Sequence, residues 1–381
     1  MGPRAASAAH LLKEALPLLQ LRGDREGVAR AQRGLGWAAW NSGDGDEAER
    51  LFDAALEAVA EGPSSATQGQ LMEEQARRRM LAGRHEEAMV LAGRALEIAD
   101  TLGLTQVRID CLISLGSIRG FTGESGGIAE LERALELARE VEYGLGIMRA
   151  YKNLASHLFE VGNVDRALGL WAQAAAEAER FGDEFEIGWF AVEHAIGLHA
   201  QGRGDEAARL LTSFLQRAEA GQAHYMETAA RETLAGIYLE LGDIESALAL
   251  SAHAAETARP SGEAQNVMPA LTVYAAALLA AGRAGEASAV ATEILGHMPS
   301  DTHGPWLVQL AATLRAIGRE GDFAAASGTS AERSVWGAAA LKLVRGDPAA
   351  ARAMLAAAGA DGVAALCVDA PPATFEQTGA G

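Results

Sequence analysis

Four kinds of segment in this 381-residue chain bring together residue types that carry chemistry elsewhere. Gly43-Asp44-Gly45-Asp46-Glu47-Ala48 and Gly202-Arg203-Gly204-Asp205-Glu206-Ala207 have the glycine spacing of a phosphate-cradling turn. That turn needs a strand leading into it, and a helical pattern precedes both copies here. His85-Glu86-Glu87-Ala88-Met89 opens like a zinc-protease helix, but Met89 stands where the second histidine belongs. His194 and His199 are five residues apart, a poor spacing for holding one metal on a helix. The acidic stretch Asp44–Glu49 has the charge of a calcium loop without its twelve-residue register. There is no Gly-x-Ser-x-Gly elbow and no Walker loop. The expectation is a chain that is not an enzyme and uses neither metal nor cofactor.

The elements that hold these residues explain why the matches arise. A loop of the form Gly-(Asp/Arg/Asn)-x-x-x-Ala recurs at Gly43, Gly83, Gly162, Gly202, Gly242 and Gly282. Gly123…Ala129 reads as the same loop with one residue inserted, and Gly318…Ala324 and Gly346…Ala351 continue it less regularly. A period near 40 residues marks a stacked repeat architecture. Apolar residues fall at helical intervals on both sides of each loop. The first full unit reads as a helix over 28–41 and a second over 46–60, the latter with Ala48, Leu51, Phe52, Ala55, Leu56 and Val59 on one face.

A fixed offset sharpens the register. Seven residues before each loop glycine stand Gly36, Ala76, Gly116, Ala155, Ala195, Ala235, Ala275, Ala311 and Ala339. Every one is Gly or Ala, which predicts a close approach between the two helices of each repeat. A larger side chain there would add overpacking strain of about 1–3 kcal/mol. The loop glycine is suited to a left-handed C-cap, and an Asp or Asn beside it to the turn. With 83 alanines and 43 glycines, the composition suits closely packed helices better than sheets.

This arrangement resembles the tetratricopeptide repeat family over about residues 5–358. The shared features are the small residue of the first helix, the loop glycine, the alanine of the second helix and a large apolar residue four positions later (Phe52, Trp171, Leu211). The 40-residue period looks like the extended form found in the C-terminal regions of bacterial LuxR-type and maltose-activator-like transcription regulators. The proline that often ends the second helix is mostly missing. The resemblance implies an all-α, right-handed superhelical solenoid of antiparallel helix pairs. Residues 1–22 read as a partial repeat, its second helix only. Residues 23–358 read as about eight repeats with degenerate last units, and 359–381 as a weakly ordered tail. A chain that opens in mid-repeat is either part of a longer protein or begins on an unpaired capping helix.

The resemblance implies a concave surface lined by the first helix of each pair. Offsets of 13, 10, 6 and 3 before the loop glycine share a helical stripe. They place Arg33, Trp37, Trp40, Arg77, Lys152, Ser156, Phe159 and Trp189 there, with Phe121 adjacent. Arg and aromatic residues are enriched at binding hot spots, and Arg pairs carboxylates bidentately. The stripe therefore reads as a groove for a protein or an acidic peptide, with a small-molecule effector as another occupant. The alternative is internal pairing, Arg33 and Arg77 with Glu73 and Arg149 with Asp110, while Trp37 and Trp40 fill the core. The carboxylate clamp of chaperone-binding family members is not intact. Lys152 and Asn153 match parts of it, but Trp189 and Glu193 stand where further cations belong.

A net charge of −19 argues against duplex nucleic acid as a partner. No run of eighteen apolar residues marks a membrane span, and Cys111 and Cys367 form neither a disulfide framework nor a zinc spacing. A reducing cytoplasm is the expected compartment. The functional expectation is a non-catalytic sensor or scaffold region of a bacterial regulator. A stand-alone adaptor for complex assembly ranks second, and an enzyme working in the groove last.

Overall fold

The computed structural model describes residues 3–42, 44–298, 303–327 and 330–368, without the side chains of residues 3–7, 40, 41 and 330. The described residues form helices and turns, with no strand. The chain divides into two compact units, Met1–Asn153 and Leu154–Gly381.

The first unit contains α1 (Pro3–Leu21), α2 (Arg25–Asn41), α3 (Gly45–Ala60), α4 (Ala66–Leu81), α5 (His85–Leu102), α6 (Thr105–Thr122), α7 (Gly127–Glu140) and the start of α8 (Gly144–Glu160). Pairs α2–α3, α4–α5 and α6–α7 pack as hairpins, and the first helices α2, α4 and α6 pack side by side. α1 lies on α2, with Leu12 directed at Gly34 and Leu19 at Gly27. The Leu12 side of α1 is therefore covered, and Leu11, Leu18 and Leu21 are the exposed leucines.

The second unit holds the rest of α8, α9 (Val164–Phe181), α10 (Glu184–Ala200), α11 (Gly204–Glu219), α12 (Glu227–Glu240), α13 (Ile244–Ala258), α14 (Ala264–Ala280) and α15 (Ala284–His297). The shortened repeats follow as α16 (Trp306–Ala316), α17 (Glu320–Ala326), α18 (Val335–Val344), α19 (Pro348–Ala357) and α20 (Asp361–Ala364). α10, α12, α14, α16 and α18 are the first helices, each packed against the next.

One loop geometry repeats in both units. At Gly83 the backbone has φ +73°, a region glycine enters without steric penalty. The N–H of Arg84 then donates to the carbonyl of Arg79 at 2.8 Å, the six-to-one bond of a Schellman C-cap. Equivalent bonds run from Asn163 to Leu158, Arg203 to Leu198, Asp243 to Tyr238, Arg283 to Leu278, Arg319 to Leu314 and Asp347 to Lys342. Two side-chain arrangements recur at the residue after the glycine. Asp44, Asp243 and Asp347 accept a backbone N–H from three residues on. Arg84, Arg203, Arg283 and Arg319 instead pair with Glu87, Glu206, Glu286 and Asp322, the carboxylate three residues on.

The small-residue register holds. Ala76, Ala155, Ala195, Ala235, Ala275, Ala311 and Ala339 are fully buried, as are Ala48, Ala88, Ala167, Ala207, Ala247, Ala287 and Ala351 from the partner helices. A Cβ on Gly36 would stand 2.6 Å from the Phe52 ring. Two irregular loops differ from the sequence expectation. Ala129 and Ala324 are exposed. In the first loop Gly127 makes the close approach, and a Cβ on it would stand 2.6 Å from the carbonyl oxygen of Gly116. In the second, Phe323 fills the site and is fully buried. A short partner helix leaves a gap there that a large ring can fill.

The C-terminal repeats of the second unit return to its first ones. Val335 and Ala358 lie against Gly162, the N–H of Val164 donates to the carbonyl of Ala358 at 3.3 Å, and Gly362 packs on the backbone of His199 and Gly202. Residues 359–368, expected as the start of a weakly ordered tail, instead carry α20 and bury Ala360, Val363, Ala364 and Cys367. Residues 369–381 lie outside the described residues.

Candidate functional site

In the first unit, the offsets do not all reach the surface. Met80 and Glu73 are buried, three and ten residues before Gly83. Trp37 and Arg77, each six before its loop glycine, are exposed. Trp37 sets its ring edge-on to Phe52, centroids 5.4 Å apart. The Trp40 side chain lies outside the described residues. Phe121 is half-buried and stacks on His85 at 5.6 Å, and Lys152 is half-buried.

The arginines of this face differ in their pairing. Arg33 is engaged by Glu74, its Nε donating to both carboxylate oxygens at 2.9 and 2.8 Å, and not by Glu73. Arg149 donates from Nη1 to Glu73 Oε1 and Asp110 Oδ1, both at 3.0 Å, and from Nη2 to Ser114 Oγ at 2.7 Å. Ser114 in turn donates to Glu73 at 2.9 Å, and Tyr143 Oη to Asp110 Oδ2 at 3.0 Å. Burial and the nearby Glu73 push the Asp110 carboxyl up to about 6, against the opposing pull of Arg149 and Tyr143. Arg149–Asp110 thus follows the sequence alternative. Arg77 does not: it makes no ion pair or hydrogen bond with any described residue. Desolvation, and then the charge of Arg149, hold its guanidinium below the ordinary value.

In the second unit, Phe159 is core and not surface. It packs between Trp171 at 5.4 Å and Trp336 at 4.8 Å and is 5% exposed. Ser156 is exposed. Trp189 belongs to an aromatic shelf that the stripe did not include. Its ring stacks parallel on Tyr225 at 5.6 Å and lies 6.2 Å from Phe185, which stacks on His224 at 4.5 Å. His224 Nδ1 accepts the Met226 N–H, so Nε2 carries the proton and donates to the Phe185 carbonyl at 2.9 Å. Tyr225 Oη donates to Glu263 at 2.7 Å and accepts from Gln265 and Asn266. The missed signal was one more offset: Phe185, Tyr225 and Gln265 each stand seventeen residues before Gly202, Gly242 and Gly282.

Among the described residues no group of three or more His, Cys, Asp and Glu is arranged to hold a metal, and no helix is long and apolar enough to cross a membrane. Cys111 and Cys367 are buried free thiols.

Comparison with solved structures decides the fold. A signal-transduction ATPase with numerous domains, carrying a tetratricopeptide repeat sensor, from Pyrococcus horikoshii matches with TM-score 0.56 at 17% identity, covering 85% of this chain and 51% of that one. The chain has the tetratricopeptide-repeat fold. A Rap protein complexed with competence and sporulation factor matches this solenoid with TM-score 0.57 at 15% identity, over 72% of this chain and 74% of that one. NprR in complex with its cognate peptide NprX matches with TM-score 0.57 at 14% identity, over 84% and 96%. No family model matches the sequence, and no curated protein matches it.

Proposed function

We propose that this tetratricopeptide-type chain is a non-catalytic peptide- or protein-binding region, serving as the sensor or scaffold part of a regulator. The fold is shared with a Rap protein and NprR, each solved with a bound factor or peptide, and with a tetratricopeptide sensor. One observation within the chain carries the reading. On the first-helix face of the first unit, Arg33 and Arg149 hydrogen-bond to carboxylates, while Arg77 is exposed, feels Glu73, Asp110 and Glu74 only through their charge and hydrogen-bonds to no described residue. A cation held beside a second cation, partly desolvated and unpaired, is suited to an incoming carboxylate.

Fluorescein-labelled hexaglutamate at low ionic strength tests this by anisotropy. The chain binds the probe, and Arg77→Ala combined with Lys152→Ala abolishes binding while far-ultraviolet circular dichroism stays unchanged. Equal affinity of the two proteins for the probe would reject the acidic-partner reading.

A further inference from the structure

Within the second unit, two polar atoms are left without partners at equivalent places in consecutive repeats. Glu232 stands on α12 ten residues before Gly242, and Thr272 on α14 ten residues before Gly282. α12 and α14 pack side by side. Glu232 Oε2 and Thr272 Oγ1 are both closed off from solvent and hydrogen-bond to nothing. Thr272 is 1% exposed. Burial alone raises the Glu232 carboxyl well above the ordinary range, with no neighbouring cation to offset it. The nearest arginine in sequence, Arg231, is committed to Glu227 at 3.0 Å.

An unsatisfied buried polar atom in a native structure calls for a cause, since leaving one unpaired is destabilising. Here the pair shares a chemistry. A carboxylate oxygen and a hydroxyl oxygen can both accept, so the missing partner is a group with several N–H donors. A positive charge on that group would also favour the ionised form of Glu232. One turn from Glu232 on the same stripe, Ala229 is small and half-buried, as Glu232 itself is, whereas a Cβ on Gly236 would meet the His199 ring, so a side chain would approach from the Ala229 side. Tyr225 lies seven residues before Glu232, in the turn that leads into α12. Tyr225 and Phe185 are 42% and 47% exposed, and offer an apolar surface to the rest of a bound segment.

We propose that Glu232 and Thr272 recognise a cationic side chain, the ammonium of lysine or the guanidinium of arginine, in a bound peptide. This rests on the peptide-binding reading above. The two orphaned oxygens fix where its charge settles.

The test uses a random twelve-residue peptide library displayed on phage, panned against the full chain in 0.3 M NaCl so that diffuse attraction is screened. Enriched peptides are resynthesised, with each lysine replaced by norleucine and each arginine by citrulline, and titrated against the chain and Glu232→Gln. The expected result is that one cation is shared among the enriched peptides. Replacing it weakens binding at least tenfold to the chain and leaves binding to Glu232→Gln unchanged. Enriched peptides without a shared cation, or equal losses on both proteins, overturn the proposal while leaving peptide binding intact. A chain that enriches no peptide overturns the peptide-binding reading, and this proposal with it. Thr272→Val supplies a second variant: unchanged affinity for the cationic peptide removes the hydroxyl from the site and overturns the paired assignment.

Discussion

Arg149 and Glu73 are 76 residues apart in sequence and joined by a 3.0 Å ion pair. Arg149 is on α8 and Glu73 on α4, so the bond passes over a whole repeat. α6, which lies between, contributes Ser114 to the same cluster. Repeat stacks are commonly held by nearest-neighbour interfaces. Here a buried polar network joins three first helices within the first unit, α4, α6 and the start of α8.

Removing Arg149 leaves Glu73 and Asp110 buried without their ion-pair partner, with only the hydroxyls of Ser114 and Tyr143 still bonded to them. Arg149→Ala is expected to destabilise the first unit by about 3–5 kcal/mol, the usual result of breaking a buried pair from one side. Replacing all three charges together, with Arg149→Met, Glu73→Gln and Asp110→Asn, is expected to recover most of that loss. Urea unfolding followed by circular dichroism measures both. A single variant no less stable than the triple one would contradict the network.

Asp110 sets a pH dependence with a definite sign. Its carboxyl is raised from 3.8 to about 6 in the folded chain, so the folded state holds the proton more tightly than the unfolded one. Its contribution to stability is complete below about 3.8 and is lost as pH rises through about 6. Asp110→Asn removes this component. The stability of the natural chain relative to Asp110→Asn should therefore fall between pH 4 and pH 6.5 in paired urea titrations. A constant or rising difference would show that the raised value is wrong.

The two irregular loops give a test of register. Phe323→Ala empties a fully buried site and is expected to destabilise by about 3–5 kcal/mol. Ala324→Leu, one residue on and exposed, should leave the urea midpoint unchanged. Ala155→Leu and Ala235→Leu should destabilise through overpacking by about 1–3 kcal/mol, and Glu179→Leu, on the surface, should not. Equal midpoints across this set would sink the register.

Arg77 and Arg33 are expected to behave oppositely when truncated. Arg33→Ala frees Glu74 from a bidentate partner and lowers stability. Arg77→Ala removes a cation that makes no ion pair and on which the repulsion of Arg149 opposes the attraction of Glu73, Asp110 and Glu74, and should leave thermal stability nearly unchanged. A loss at Arg77 as large as that at Arg33 would reveal a structural role for it.

Gly362 sits where a side chain would run into the His199 carbonyl oxygen and the Gly202 backbone. Gly362→Val should release α20 from the loops it covers without unfolding the repeats. Hydrogen exchange would then accelerate at Ala364 and Ala365, whose N–H groups donate to Ala360 and Asp361. Unchanged protection at both amides would show that the docking does not depend on this close approach.

What the sequence determined by itself is what lies within one repeat. Gly83, Ala76 and Ala88 are a short distance apart in the chain, and their types suffice to specify a capped helix, a turn and a tight return. Small residues at fixed offsets leave one way to pack the pair. The candidate face was legible only in part, because a helical stripe shows which residues share a face and not which of them meet a neighbour. Phe159 fell on the stripe and went into the core against Trp336; Arg77 fell on it and stayed exposed. Tertiary structure alone decided the contacts that skip repeats: Arg149 with Glu73, Phe159 with Trp336, and Gly362 on Gly202. Each depends on the rotation accumulated from repeat to repeat, a sum of small packing angles that no single spacing in the sequence records.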